Sequence, residues 1–277
     1  MRRFRTTALT AGAFLAAALP LAAPSARADG ASASAPRGVV QAPGHPLVLF
    51  PGREGTVAAF CPDGTTPTGG GATVESDLRS PVFVRRSELH PTANGWRVMV
   101  YNASPDVQTV HPHVVCSTDS SLTVQNGNEV ALDPGEPVSG IASCDNTKFA
   151  VGGGFDAGTS TFAEDSSSGD IRSWSTAAKY TDYDPAAPPS YLRTSVICSD
   201  AQPSWQPSLI VKLAPGTAGT THAECPGGQV PLSGGGTAGD NAFLTSSIPT
   251  ATGWTVWAMN TGQDERTLLA TVLCTAP

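Results

Sequence analysis

Leu49-Phe50-Pro51-Gly52, Ala59-Phe60-Cys61-Pro62-Asp63-Gly64, Gly69-Gly70-Gly71, Trp96 and Val114-Val115-Cys116 form a series that returns twice along the chain. The second pass reads Leu132-Asp133-Pro134-Gly135, Ala142-Ser143-Cys144, Gly152-Gly153-Gly154, Trp174 and Val196-Ile197-Cys198. The third reads Leu213-Ala214-Pro215-Gly216, Ala223-Glu224-Cys225-Pro226-Gly227-Gly228, Gly234-Gly235-Gly236, Trp254 and Val272-Leu273-Cys274. The leading cysteines are 83 and 81 residues apart. Pro and Gly always stand ten and nine residues before them. The glycine triplet begins eight residues after the cysteine in the first two copies and nine after it in the third. A repeat of this length and fidelity decides architecture before any local reading is made.

Within a copy the local signal is strand. Trp96-Arg97-Val98-Met99-Val100-Tyr101 alternates, with Trp96, Val98 and Val100 on one face, and Trp254-Thr255-Val256-Trp257-Ala258-Met259 repeats the pattern. The chain has 29 glycines and 24 prolines, too many for long helices and suited to short strands joined by turns. Four to six strands per copy are expected. The fold class is therefore all-β with three internal repeats. Two closures are open: one pseudo-threefold body, β-prism-like, in which the copies share a core, or three tandem small β-sandwiches. The boundaries read as a signal peptide over 1–28, a disordered lead-in over 29–37, and β repeats over 38–117, 118–199 and 200–277.

The first 28 residues have the anatomy of an export signal. Arg2, Arg3 and Arg5 precede an apolar run over residues 8–23, and Ala26-Arg27-Ala28 is a small-x-small cleavage site before Asp29. Cleavage there removes four arginines and no acid, which takes the net charge from −7 to about −11. A surface so acidic, without a Lys/Arg cluster, excludes nucleic acid as a partner and disfavours anionic membranes. No later segment is apolar enough to insert into a membrane after cleavage. A secreted, extracellular destination is expected. In that oxidising setting the six cysteines, two per copy, should be disulfide-bonded. Repeat symmetry favours Cys61–Cys116, Cys144–Cys198 and Cys225–Cys274. The rival scheme joins copies: Cys116–Cys144, Cys198–Cys225 and Cys61–Cys274.

The Cys-Pro-x-Gly turn, glycine run, tryptophan strand and Val-x-Cys ending resemble the repeats of secreted, three-repeat actinobacterial proteins, a group of unassigned function. The resemblance spans nearly the whole mature chain. It implies export and a repeated β unit, and it supplies neither an activity nor site residues. The second copy departs from it, with Asp145-Asn146 after Cys144 where a Pro-containing turn is expected.

Catalytic motifs are absent from the sequence: there is no G-x-S-x-G elbow, no H-E-x-x-H and no G-x-x-x-x-G-K. The glycine triplets lack the lysine and helix of a phosphate loop, so a backbone role is expected for them. His111 and His113 share a strand face, but Arg193/Ser195 and Leu269/Thr271 replace them in the other copies, and no metal or cofactor is expected. The stretch Glu164–Asp170 lacks the spacing of a calcium loop and reads as a solvated loop. Trp96, Trp174 and Trp254 read as core. Trp257 and Tyr101 fall on the opposite strand face, and Asn102 and Asn260 recur six residues after tryptophan. Tyr101, Asn102, Trp257 and Asn260 are therefore the candidate ligand-binding residues, with a turn role as the plainer reading of the two asparagines. The expected function is non-catalytic, lectin-like recognition of an extracellular or cell-wall glycan, carried by similar shallow sites on each copy. The alternative is a structural or interaction protein of the envelope, or a protease inhibitor with its loop near Asp184–Pro189. The partner is then a glycan or an extracellular protein.

Overall fold

The computed structural model describes residues 38–75, 80–133, 135–158, 161–181 and 190–277. The expected signal peptide, the lead-in and the loop near Asp184–Pro189 lie outside the described residues. Each repeat contributes seven strands, more than the sequence pattern suggested, because two short strands open every copy. Repeat 1 contains β1 (Val39–Pro43), β2 (Leu47–Leu49), β3 (Glu54–Phe60), β4 (Thr66–Val74), β5 (Val82–Leu89), β6 (Gly95–Asn102) and β7 (Gln108–Ser117). Repeat 2 contains β8 (Thr123–Asn126), β9 (Val130–Leu132), β10 (Pro137–Ser143), β11 (Phe149–Asp156), β12 (Thr161–Asp170), β13 (Ser173–Tyr180) and β14 (Ser190–Ser199). Repeat 3 contains β15 (Ser204–Pro207), β16 (Val211–Leu213), β17 (Ala218–Glu224), β18 (Val230–Thr237), β19 (Ala242–Pro249), β20 (Gly253–Asn260) and β21 (Arg266–Thr275). Among the described residues no helix is long and apolar enough to cross a membrane.

No sheet belongs to one repeat. The order β3-β6-β5 of repeat 1 continues through β11-β14-β8 of repeat 2, with β9 beside β14. Likewise β10-β13-β12 runs on into β18-β21-β15, and β17-β20-β19 into β4-β7-β1. The fourth strand of each repeat thus pairs with the fifth strand of the preceding one, and β4 with β19 closes the ring. Three antiparallel seven-stranded sheets shared in this way make one pseudo-threefold body, and independent tandem sandwiches are excluded. The sandwich survives inside each copy, where the two half-sheets of a repeat pack face to face. A disulfide joins those halves in each case: Cys61–Cys116, Cys144–Cys198 and Cys225–Cys274, with Cα separations of 5.7, 5.7 and 5.8 Å. Loops of 49 to 55 residues give each bond about 4 kcal/mol in the chain-entropy picture. Three such bonds suit an oxidising compartment.

Tryptophan, glycine and serine explain the repeat. Trp96, Trp174 and Trp254 are fully buried. A Cβ added to Gly70, Gly153 or Gly234 would come within 3.0 Å of the indole Cγ of its own repeat, so only glycine lets the ring lie flat on the strand. Each indole N–H donates to a serine hydroxyl: Trp96 to Ser87 (2.9 Å), Trp174 to Ser166 (3.1 Å) and Trp254 to Ser247 (2.8 Å). The backbone carbonyls of those same serines press on the next repeat, against Gly154, Gly235 and Gly71.

Register resolves the displaced third triplet. Gly69 pairs with Val115, Gly152 with Ile197 and Ser233 with Leu273, so Ser233 is the equivalent of the first glycine. A Cβ on Gly69 would collide with Ser233, and one on Gly152 with the Thr68 carbonyl. The three positions therefore meet at the pseudo-threefold axis, where one side chain fits. Phe83, Phe162 and Phe243, also equivalent, close a second triangle around the axis with ring separations of 4.8, 5.7 and 5.5 Å.

Glu164–Asp170 is not the solvated loop expected from its composition. It lies in β12, and Glu164 and Ser166–Ser168 are buried. Two facts produce this. The strand is the one that pairs with repeat 3, through Asp165↔Thr237 and Ser166↔Gly236, and Ser166 is the partner of the Trp174 indole. Burial pushes the Glu164 carboxyl up to about 7, against a backbone N–H donated by Asn241. Burial also pushes Asp165 up to about 6, opposed by hydrogen bonds from Ser167 and Thr237.

Two measurements check this account. Gly152→Ala should lower the unfolding free energy by more than about 3 kcal/mol, because backbone must move to admit the methyl group. Ser233→Ala should be neutral or stabilising by up to about 1 kcal/mol, since the buried Ser233 hydroxyl has no partner. Denaturant melts of the two variants compare them directly. The second measurement is stability against pH. Both carboxyls have folded values above their ordinary ones, so their contribution is complete below about pH 4 and is lost as pH rises through about 6 and 7. Unfolding free energy should fall by a few kcal/mol between pH 4 and pH 8. Glu164→Gln should flatten the upper part of that fall, near pH 7.

Candidate functional site

Where β5 meets β11 the two repeats leave an open groove of about 700 Å3. Glu88, Leu89 and Arg97 of repeat 1 line it, facing Asn126, Glu129, Asp156, Arg193 and Ser195 of repeat 2. The strands place these groups by alternation. Trp96 and Val98 turn into the sandwich, so Arg97 turns away from it, and Glu88 lies directly opposite Arg97 in the ladder. Across the seam Asp156 is registered with Arg86.

These charges form a chain of ion pairs. Arg86 reaches Asp156 (2.7 Å) and lies 3.4 Å from Glu88. Arg97 Nε donates to Glu88 Oε1 at 2.8 Å. Arg193 grips Glu129 at 2.6 Å and lies over the Tyr191 ring, 4.4 Å from its centroid. Burial raises the Glu88 carboxyl above the ordinary range, with the Arg97 hydrogen bond working against it. Three guanidinium groups balance three carboxylates. The groove is therefore close to neutral, yet it carries fixed donors and acceptors side by side.

The same register positions differ at the other two seams. Arg86, Glu88, Arg97 and Asp156 correspond to Asp165, Ser167, Ser175 and Thr237 between repeats 2 and 3. Between repeats 3 and 1 they correspond to Ser246, Ile248, Thr255 and Thr73. Among the described residues the ionic chain occurs at one seam.

The four residues singled out in the sequence do not converge. Asn102 and Asn260 are fully buried, and their amides are spent on turns: Asn102 donates to the carbonyls of Leu49 and Asp106, Asn260 to those of Leu213 and Asp264. Tyr101 packs beside Phe162 of the axial triangle, with the Arg85 guanidinium 4.5 Å from its ring centre. Trp257 is half-buried, and its indole N–H has no partner. His111 is 3.4 Å from Glu75, and His113 is held below the ordinary histidine range by burial and by His111. No cluster of three or more metal-ligating side chains occurs among the described residues.

Sequence reasoning passed over the groove because its residues share no motif and come from two copies. The available signal was Arg86, Glu88 and Arg97, charges of repeat 1 at positions that hold Asp165, Ser167 and Ser175 in repeat 2 and Ser246, Ile248 and Thr255 in repeat 3.

No family model matches the chain, and no curated protein is significantly similar to it.

Proposed function

We propose that this is an exported, non-catalytic binding protein that holds a neutral glycan in the groove between repeats 1 and 2. The observation that carries the reading is the set of paired charges in an open cleft: Arg97 and Arg193 line it with Glu88, Asp156 and Glu129, and Arg86, paired with Asp156 and Glu88, completes the balance. A vicinal diol donates one hydrogen bond and accepts another over a short span. Carboxylate oxygens alternating with guanidinium N–H groups match that demand, and charge-assisted bonds are the stronger kind. The zero local balance favours no polyanion and no polycation. The protein's overall acidity agrees, since it opposes binding to phosphate-rich polymers. The export signal in the sequence places such a module where polysaccharides are met. Binding through one groove is weak for a short sugar and gains from a groove long enough for several residues of a polymer.

Glu88 and Asp156 also favour a second reading. Two carboxyls around one arginine, one of them raised by burial, resemble the acid and base of a glycoside hydrolase.

The test is a glycan array and cell-wall pull-down with the wild type, Arg97→Ala and Arg193→Ala. Loss of one guanidinium should weaken binding by tenfold to a hundredfold, roughly 1.5–3 kcal/mol. Arg193 is exposed, so its replacement should leave the melting temperature unchanged. Retention that ignores both substitutions would sink the groove as the site. Release of new reducing ends that stops in Glu88→Gln would replace the binding reading with the hydrolytic one.

A further inference from the structure

The pseudo-threefold register identifies positions between repeats 2 and 3 that match the groove, and their chemistry is different. Val124 and Glu129 line the groove, and their equivalents on β15 and the turn after it are Trp205 and Ile210. Ser195 corresponds to Thr271. The opposing wall becomes Ser167, Ser175 and Thr237 in place of Glu88, Arg97 and Asp156. Trp205 is 45% exposed and Ile210 65%, on the terminal strand of the sheet and the turn that follows it. Thr271 is 4% exposed, and its hydroxyl has no hydrogen-bond partner. Asp165 accepts a hydrogen bond from Ser167 of its own strand at 2.8 Å and another across the seam from Thr237, so a hydroxyl network replaces the Arg86–Asp156 ion pair.

We infer that this seam is a second glycan subsite, in which Trp205 stacks on the C–H face of a pyranose and the serine and threonine hydroxyls take its hydroxyl groups. The inference rests on the glycan reading of the first groove. An indole face left in water asks for an apolar, flat partner. The half-buried hydroxyls of Ser175 and Thr237 ask for a polyol. A sugar ring supplies both at once, whereas a lipid or an aliphatic peptide leaves the hydroxyls unanswered. Asp165 is the one carboxyl of this set, and its oxygens are already engaged, so the ligand is neutral here too. The two subsites are unlike, and each uses one edge of repeat 2.

Tryptophan fluorescence reports on the new site once the half-buried Trp257 is replaced by phenylalanine, because Trp96, Trp174 and Trp254 are sealed in the core. The full-length mature protein would be titrated with cello-, xylo-, manno- and chito-oligosaccharides of six units. The expected result is a saturable blue shift for at least one series. Trp205→Ala should abolish it and weaken binding at least tenfold, Trp205→Phe should restore part of the affinity, and Arg97→Ala should leave the shift in place. Binding that is lost in Arg97→Ala but indifferent to Trp205→Ala overturns this subsite and leaves the first groove standing. No binding of any series or of cell-wall polysaccharide overturns both. A blue shift that follows protein concentration without sugar overturns this subsite in favour of contact between two copies of the chain.

Discussion

The indole of each repeat packs on a glycine and fixes a serine at the seam, and this contact holds the whole body together. It lies on a glycine of its own copy and hydrogen-bonds a serine whose carbonyl abuts a glycine of the next. One ring thereby fixes the sandwich inside a repeat and the seam between repeats. Replacing a buried tryptophan commonly costs 3–5 kcal/mol. Here the loss would also free the serine that sets the neighbouring strand. The disulfides act elsewhere, tying the two half-sheets of a repeat together on one side of the same sandwich.

Symmetry in the core does not extend to the seams. Inward positions repeat because tryptophan, glycine and valine must fit one another at native packing density. Positions on the other face of β5, β12 and β19 make no such contact and are free to differ. They have become an ionic chain, a hydroxyl network and a mixed apolar–hydroxyl face in turn. Even at the axis, where three residues meet, the equivalence breaks: two glycines yield to one serine because a second side chain has no space. Multivalency from three equal sites would be a gain in avidity. Unequal seams forgo that gain and leave different chemical groups on neighbouring surfaces.

The fold was legible in the spacing because the residues that build it are chemically extreme. Cysteine, tryptophan and glycine have few substitutes, so they survive in every copy and reveal both the pairing of the thiols and the buried indoles. The nine-residue offset of the third glycine run was legible but misread: Ser233 completes the pattern, and only register shows it. The acidic look of Glu164–Asp170 misled for a related reason. Composition assigns charge to solvent, but a strand that joins two repeats is buried whatever its letters, and Glu164 and Asp165 answer by holding their protons to higher pH than ordinary carboxyls do. The groove was not legible, since it is assembled from Glu88, Arg97, Asp156 and Arg193, each ordinary alone and remote in sequence.

Asn102 and Asn260 show how a repeated polar residue differs from a functional one. Each is fully buried, donates to two carbonyls and closes the turn before the last strand of its repeat. A buried amide with its hydrogen bonds committed within its own repeat has nothing left for a ligand, and repetition is what such a structural role demands. A recognition residue in this architecture has the opposite profile. It stands on the outward face, it is reachable from solvent, and it is free to differ from copy to copy because no shared core contact constrains it. Arg97 and Trp205 fit that profile, and the most strongly repeated polar positions do not. In a protein built by triplication, function is to be sought where the copies disagree.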